Sequence, residues 1–296
     1  NARRRRAPPP EDARSGVRAG RARKVSMRLE LLGVSGPAWV QDLGRPGRMI
    51  EGIPPGGALV PEALVEANRA VGNRGGAPGI EAFGELIVAA RGGDATLWWG
   101  EPVRLERDHV RRLPARGLTY LAVQGGLILP EVLGGHGLLV TAGLGGGGRP
   151  LRAGDGFDVG GFEGEERGHS WQASGPIRLV RGPDLGEEAW EVLVGTEWTV
   201  GSADRTGCRL VGGTVPGDGG LRATAPMVRG AIQVTPSGEP VVLGPDHPTT
   251  GGYPVVGVVI AADQGRLAGA TRVRFTGIGV DEARRERARW RAWVGR

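Results

Sequence analysis

The chain has 296 residues, of which 39% are hydrophobic, and its formal net charge at pH 7 is +6. This length is sufficient for one large domain or for two small ones, each with its own hydrophobic core. No apolar run approaches the 18 residues of a membrane-spanning helix, and the 56 glycines follow no collagen-like repeat.

The positive charge is concentrated at the beginning of the sequence. Residues 1–26 contain eight arginines and Lys24 against two acidic residues, whereas the other 270 residues sum to about −1. This Arg-, Pro- and Gly-rich segment has almost no apolar residues, which predicts a disordered basic tail. A nucleic-acid-binding arm and a transit segment are alternatives. We interpret it as sequence that precedes the natural start at Met27, and expect neither nucleic acid nor membrane as a partner.

The rest of the sequence consists largely of short apolar runs bounded by Gly, Pro or Asp, as is typical of β-strands. Regular alternation of strands and helices is absent, so a doubly wound parallel sheet is not expected. The predicted strands are residues 28–34, 86–90, 95–100, 119–129, 177–182, 197–201, 231–234, 240–243, 255–262 and 272–279. The predicted helices are residues 61–73, 186–195 and 281–294.

An acidic, glycine-rich stretch, residues 160–170, divides the sequence near its middle. We place a domain boundary within it. The sequence therefore predicts a first β domain of residues 27–165 and a second β domain of residues 166–296, which ends in the last predicted helix.

Two loops between predicted strands are candidate binding segments. The glycine-rich segment 142–155 lacks the Lys-Ser/Thr pair of a phosphate-binding P-loop, so we interpret it as a flexible connection. Its backbone N–H groups could still line an anion site. The segment 244–254, GPDHPTTGGYP, is longer than a hairpin requires, which fits either an ordinary long loop or a binding loop on a β-scaffold.

The rare residue types exclude several kinds of chemistry. A single cysteine, Cys208, excludes an internal disulfide and a cysteine metal cluster, and we interpret it as a small buried residue of a cytoplasmic protein. The four histidines are scattered without metal-ligand spacing, so no metal site is predicted. Lys24 is the only lysine, so the body offers no Schiff-base lysine and no carrier lysine for covalent biotin.

Seven stretches resemble one family and occur in the order of that family. The stretches are residues 36–48, 52–73, 120–134, 148–155, 202–210, 230–254 and 273–275. The family is that of the 5-oxoprolinase C subunit, also described as biotin-dependent carboxyltransferase-like or allophanate hydrolase subunit 2-like, and related to the carboxyltransferase part of urea amidolyase. The resemblance covers roughly residues 28–290.

The resemblance implies a mainly β fold of two cyclophilin-like β-barrel domains with a few short helices. It implies a partner protein like the 5-oxoprolinase B subunit, and an ATP-dependent opening of the lactam of 5-oxoproline to glutamate. In urea amidolyase the related domain transfers carboxylate from biotin to urea, and a third branch resembles antagonists of a sporulation-kinase inhibitor.

Residues in the matching stretches are candidates for this chemistry because a developing phosphate charge needs cations, and ring opening needs groups that handle protons. The candidate catalytic residues are Asp42, Arg45, Asp204, Arg205 and Asp246, with Arg209 as a further cation. The candidate substrate-binding residues are Gln41, Gln124, Gln233, Thr249, Thr250, Gly251, Gly252 and Tyr253. If both halves of the pattern meet at one pocket, Arg205 and Asp246 should lie close together.

A structural role is the alternative for each of these residues. The Asp-Arg pair of SADRTG could be an ion pair that stabilises a turn, and the aspartate of QDLGR could cap one.

The sequence also departs from the family at four places. Val60 stands where the family has Asp, Gly135–Leu138 replace Ser-Arg-Ser-Thr, Pro248 replaces Gln, and the segment before Val273 is shortened. The standard activity is therefore one of three hypotheses. They are, in order, a subunit of an ATP-dependent cyclic-amide hydrolase, a non-catalytic regulatory partner of the B subunit, and a biotin-dependent carboxyl transfer component.

Overall fold

The structure is a computed structural model that describes residues 25–161, 164, 169–184, 186–217 and 220–295. The predicted tail and the predicted boundary at 165/166 lie outside these residues, except for Val25 and Ser26. These two residues already belong to the first strand, so the fold begins earlier than Met27. The Ser26 hydroxyl donates to the carbonyl oxygens of Val159 (3.1 Å) and Gly160 (2.9 Å).

The first half of the described chain is built from two antiparallel sheets. Its strands are β1 (Val25–Ser35), β2 (Ala38–Gln41), β3 (Gly79–Ala82), β4 (Glu85–Arg91), β5 (Ala95–Trp99), β6 (Pro102–Leu105), β7 (Val110–Leu113), β8 (Thr119–Val123) and β9 (Gly156–Gly160). One sheet has the order β7-β4-β1-β9 and the other the order β2-β3-β8-β5-β6. Their apolar faces share one buried core, to which Leu29 and Val88 contribute from the first sheet and Ile80 and Leu97 from the second.

The second half is organised around one large sheet. Its strands are β10 (Ile177–Arg181), β11 (Trp198–Ala203), β12 (Gly207–Val211), β13 (Ala225–Pro226), β14 (Ala231–Val234), β15 (Pro240–Leu243), β16 (Thr250–Gly251), β17 (Val255–Val259), β18 (Arg272–Val273) and β19 (Phe275–Gly277). Eight of them form a sheet in the order β18-β11-β12-β15-β14-β17-β10-β19, while β13 and β16 form a separate ribbon. A second buried core, which includes Trp198 and Leu210, packs on this sheet. The fold is mainly β with a nearly closed β-barrel sheet, which confirms the predicted fold class.

Three α-helices lie close to their predicted positions: α1 (Pro61–Ala70), α2 (Glu187–Gly195) and α3 (Val280–Val294). Short 3-10 helices occur at Met49–Glu51, Val140–Ala142 and Ala261–Leu267. Within the part of the chain that the structure describes, no helix has the length and apolarity to cross a membrane.

Helix α3 reaches across from the second half to the first. The ring of Trp293 packs on Trp171, with 5.6 Å between ring centroids, and contacts Val65 of α1 within one buried cluster. The guanidinium of Arg69 lies 4.8 Å from the centre of the Trp293 ring and donates to the Trp293 carbonyl oxygen (2.5 Å). The indole of Trp290 donates to Glu62. The last helix therefore fastens the two halves together.

Candidate functional site

The guanidinium of Arg205 lies at the seam between the two halves. Arg205 occupies the turn between β11 and β12, and its side chain is 7% exposed. It makes a two-pronged contact with Asp246, from Nε to Oδ2 (3.0 Å) and from Nη2 to Oδ1 (2.9 Å). Its Nη1 donates to Oε1 of Glu81 in the first half (2.7 Å), and Nη2 also donates to the Gly57 carbonyl oxygen (2.6 Å). Arg205 and Asp246 are thus in direct contact, as the shared-pocket hypothesis requires.

Glu81 is the residue of this cluster that the sequence did not reveal. Its Oε1 also accepts from the Trp39 indole (2.5 Å), and its Oε2 accepts from the Leu59 N–H (2.7 Å) and the Tyr120 hydroxyl (2.5 Å). Burial and the adjacent Glu81 carboxylate raise the pKa of Tyr120 well above its ordinary value. The sequence offered no clear signal for Glu81, because the complete burial of β3, which makes a cationic partner necessary for this carboxylate, is seen only in the structure.

The electrostatics of the cluster favour a structural ion pair. Burial lowers the pKa of Arg205, but Glu81 and Asp246 more than offset that effect, so its pKa lies above the ordinary value and it stays charged. Four of the five N–H donors of Arg205 are engaged within the protein. Little donor capacity is left for a ligand, so a catalytic role of Arg205 and Asp246 remains a prediction.

Asp42 and Arg45 hold the loop that follows β8. The two carboxylate oxygens of Asp42 accept from the backbone N–H groups of Gly44 (2.7 Å) and His136 (2.6 Å). Arg45 donates to the carbonyl oxygens of Val132 (2.9 Å) and Gly137 (2.5 Å). Both side chains are buried, and burial lowers the pKa of Arg45. These contacts orient backbone rather than presenting free polar groups.

The glycines at 135 and 137 fit against this pair. A Cβ atom at Gly137 would lie 2.9 Å from Oδ1 of Asp42, and one at Gly135 would lie 2.9 Å from Cγ of Arg45. The departure from the family at Gly135–Leu138 is therefore matched by close packing of the loop on Asp42 and Arg45.

The predicted glutamines are spread over three places. Gln41 donates to the Leu138 carbonyl oxygen (2.8 Å), and its Oε1 is buried without a hydrogen-bond partner among the described residues. Gln124 makes a long contact with the Val71 carbonyl oxygen (3.4 Å), and Gln233 a similar one with that of Tyr253 (3.4 Å). Gln41 alone of the three lies beside Asp42 and Arg45.

The predicted loop residues form an edge of the second half. Thr250 and Gly251 pair with Ala225 and Pro226 in the β13–β16 ribbon. The Thr249 and Gly252 carbonyl oxygens accept from the backbone N–H groups of Met227 (2.9 Å) and Arg222 (2.7 Å). The Tyr253 side chain is 40% exposed.

Asp204 and Arg209 make local contacts on the surface. Asp204 Oδ1 accepts from the backbone N–H groups of Thr206 (2.7 Å) and Gly207 (3.0 Å), so it caps the turn that carries Arg205. Arg209 pairs with Glu239 (2.8 Å), and both side chains are half-exposed. Asp204 thus stabilises the turn through backbone N–H groups, and not through the ion pair with Arg205 that was considered for SADRTG.

Two further polar side chains near the seam were missed by the sequence reasoning. His247 is fully buried, and its Nδ1 contacts the Pro248 carbonyl oxygen (2.7 Å). Its Nε2 has no partner in the part of the chain that the structure describes, and burial lowers the pKa of His247. Arg229 donates to the carbonyl oxygens of Ala58 (3.1 Å) and Leu59 (2.8 Å). Burial lowers the pKa of Arg229 as well, although the Glu62 carboxylate opposes this shift, and Arg229 forms no ion pair among the described residues.

The residue at position 60 accounts for part of the missing negative charge near Arg229. It is the N-cap residue of α1 and makes no side-chain cap, although its backbone N–H donates to the Tyr120 hydroxyl (2.9 Å). Arg229 donates to the carbonyl groups of Ala58 and Leu59, the two residues immediately before Val60. The aspartate that the family has at this position would provide both a helix cap and a negative charge close to Arg229.

Two cavities lie away from the Arg205–Asp246 pair. A cleft of about 160 Å³ is lined by Tyr253, Pro254 and the loops 214–217 and 234–238. A larger cavity of about 420 Å³ lies between residues 169–174 and α3. Among the described residues, no group of three or more His, Cys, Asp or Glu side chains could hold a metal ion.

Comparison with known proteins agrees with this architecture. Residues 51–276 match the family described as carboxyltransferase domain, subdomain A and B. The chain belongs to this family. It is 33% identical over 263 residues to the 5-oxoprolinase C subunit of Escherichia coli, with 77% of this chain and 83% of that protein covered. It is 31% identical to the 5-oxoprolinase C subunit of Haemophilus influenzae, with 86% and 93% covered.

Two solved structures with a similar fold belong to longer chains. The structure of TTHA0988 superposes with a TM-score of 0.74 at 28% identity, and this chain covers 60% of its length. The Kluyveromyces lactis urea carboxylase superposes with a TM-score of 0.76 at 23% identity, and this chain covers 29% of it. The chain therefore corresponds to one part of each of these larger proteins.

Proposed function

We propose that the chain is a subunit of a 5-oxoprolinase-type amidohydrolase, which opens the cyclic amide of 5-oxoproline to glutamate in the cytoplasm. It would do so with ATP and with a partner that resembles the 5-oxoprolinase B subunit. The observation that carries this proposal is the similarity to the 5-oxoprolinase C subunits of two bacteria, over 83% and 93% of their lengths. Both relatives are subunits of a larger enzyme, which supports a partner protein for this chain.

The cleft beside Tyr253 is the place we propose for the small substrate. Its volume of about 160 Å³ suits a single small ring, and it combines the Tyr253 ring and prolines with the hydroxyl groups of Thr214 and Thr235. Gln233 contacts the Tyr253 carbonyl oxygen and so supports the wall of this cleft. In this proposal Tyr253 packs against the ring, and Gln233 is a positioning residue.

The seam does not fit the triphosphate of ATP. Arg205 is compensated by two carboxylates, Arg45 is bound to backbone carbonyl groups, and the glycine-rich segment has no lysine. We therefore place the ATP outside the seam, in the partner or in another part of this chain, and assign no covalent biotin to this chain.

Turnover with the partner tests this proposal. The chain and the partner protein are purified together, and glutamate formation from 5-oxoproline is measured with and without ATP. We expect ATP-dependent turnover, a large loss with Tyr253→Ala and a smaller one with Tyr253→Phe, which keeps the ring. Absence of turnover in a stable complex of the two proteins contradicts the proposal.

Two other functions have specific support. The closely packed Gly135 and Gly137, which replace polar residues of the family pattern, favour a non-catalytic partner of the B subunit. The family description and the 28% identity to urea amidolyase of Lachancea kluyveri favour carboxyl transfer from a biotin carrier to a urea-like substrate. A stable but inactive complex supports the first, and carboxylation of urea by a biotinylated carrier supports the second.

A further inference from the structure

The larger cavity lies away from the segments that carry the predicted site residues. It measures about 420 Å³ and is bordered by residues 169–174, by Arg178 of β10, and by Glu286 and Arg289 of α3. This volume falls within the range of about 300–1,000 Å³ that is typical of small-molecule sites. None of the predicted catalytic or substrate-binding residues lines it.

Positively and negatively charged side chains alternate in a hydrogen-bonded series at the cavity. Arg178 contacts Asp263 through Nε (3.0 Å) and Nη2 (2.8 Å), and its Nη1 contacts Glu286 (2.8 Å). The other oxygen of Glu286 accepts from Nη1 of Arg289 (2.7 Å). The hydrogen bonds from Arg178 and Arg289 lower the pKa of Glu286, so this carboxylate stays ionised and bound to both arginines.

The charge of this cluster is not balanced. Asp263 also pairs with Arg266 (3.4 Å), so three arginines share two carboxylates, Asp263 and Glu286. Arg285, one turn before Arg289, is exposed and forms no ion pair among the residues that the structure describes. Of the charged side chains that line the cavity itself, Arg178 and Arg289 are cationic and Glu286 is anionic, so the lining carries one net positive charge.

Free hydrogen-bonding groups surround this excess charge. Arg289 lines the cavity and is 71% exposed; among the described residues its side chain donates from Nη1 alone, which leaves Nε and Nη2 available. The side chains of Ser170, Gln172 and Ser174 line the same space and have no hydrogen-bond partner in the described parts of the chain. Cationic and neutral hydrogen-bonding side chains thus line the same cavity.

The wall that carries these groups is held in place. The backbone N–H of Trp171 donates to Glu66 (3.0 Å), its indole donates to the Ala262 carbonyl oxygen (3.3 Å), and its ring packs on Trp293. The residues on both sides of Trp171 therefore belong to a segment that is anchored to the rest of the protein rather than to a free loop. A preorganised set of donors around a cation is what recognition of an oxyanion requires.

We propose that this cavity binds the phosphate group of a small anionic metabolite, with Arg289 as its principal ligand. A guanidinium with two adjacent free N–H groups fits two phosphate oxygens, and the serine and glutamine side chains satisfy the others. The site is separate from the seam and from the Tyr253 cleft. It does not depend on the reaction proposed above.

Isothermal titration calorimetry of the chain with pyrophosphate and with ATP tests this proposal. Arg289→Gln should weaken binding of both at least about tenfold, because it removes a charged hydrogen-bond donor. Arg291→Gln is the matched control: it makes the same charge change on the same helix, but Arg291 does not line the cavity. It should change binding by less than about twofold, since an exposed charge acts weakly at a distance.

A second variant keeps the test independent of Arg289. Gln172→Glu places a negative charge on the opposite wall and should abolish binding of both probes while leaving the melting temperature unchanged. Failure of the unmodified chain to bind either probe at millimolar concentration overturns the proposal. Equal losses in Arg289→Gln and Arg291→Gln also overturn it, because they indicate attraction to the helix as a whole.

Discussion

At the scale of single residues, Arg205 should contribute strongly to stability. Arg205→Met leaves Asp246 and Glu81 buried without their cation, so we expect a loss of about 3–5 kcal/mol in the free energy of unfolding. Arg209→Met, four residues later, breaks an exposed pair with Glu239 and should cost at most about 1 kcal/mol. Denaturant unfolding measures both, and equal losses would contradict a buried ion pair that joins the halves.

His247 should make stability depend on pH. Burial lowers its pKa below the ordinary 6.5, so below that pH the unfolded chain binds a proton that the folded chain resists. The free energy of unfolding should therefore fall as the pH decreases from about 6.5 to 5. Burial raises the pKa of Glu62, which makes the free energy of unfolding rise as the pH decreases. This contribution is the same in all variants.

The comparison that isolates this effect uses His247→Gln. This variant should show a flatter dependence of unfolding free energy on pH between 6.5 and 5. His109→Gln removes an exposed histidine and should keep the slope of the unmodified protein. Unchanged slopes in both variants would rule out His247 as the source.

The residues near the seam were predictable from sequence only in part. Charged residues in glycine-rich turns are candidates for a functional site, and the turns of this chain contain Asp42, Arg45, Arg205 and Asp246. Glu81 lies in a four-residue buried strand, and neither its burial nor its partner across the seam is visible in the sequence. Whether a polar residue holds backbone or faces a ligand depends on contacts more than 90 residues apart, as with Arg45 and Gly137.

At the scale of secondary-structure elements, the start of α1 offers a direct test. Val60→Asp supplies the missing N-cap and a charge near Arg229, so it should stabilise the protein by about 1 kcal/mol or more. Val60→Asn is the control, since it caps the helix without adding charge. A larger gain for Asp than for Asn reports the interaction with Arg229, and a loss of stability in both would contradict the capping argument.

The helices were predicted more accurately than the strands for physical reasons. Each helix combines an amphipathic pattern with a recognisable beginning, such as Pro61 or the acidic residues at the start of α3. Several strands have only four or five residues and were missed. They are Ala38–Gln41, Gly79–Ala82, Pro102–Leu105, Val110–Leu113, Gly156–Gly160 and Gly207–Val211. The predicted strand 119–129 ends at Val123, because Gly125 and Gly126 turn the chain with positive φ.

At the scale of the whole molecule, the halves should unfold together. The Arg205 cluster and the packing of Trp293 on Val65 and Trp171 both join them. We expect one calorimetric transition for the unmodified chain. Trp293→Ala should lower the stability by about 3–5 kcal/mol and separate the melting of the two halves. Arg291→Ala, on the exposed side of the same helix, should melt like the unmodified chain.

The contact between Arg69 and Trp293 spans 224 positions of sequence. At ribosomal rates of about 5–20 residues per second, helix α1 waits roughly 10–45 seconds after its own synthesis before α3 can cover Val65. During that interval an apolar patch of the first half is open to chaperones and to other nascent chains. Because of the order in which the ribosome delivers these segments, we expect chaperones to bind the nascent first half more than the finished protein, however stable that protein is.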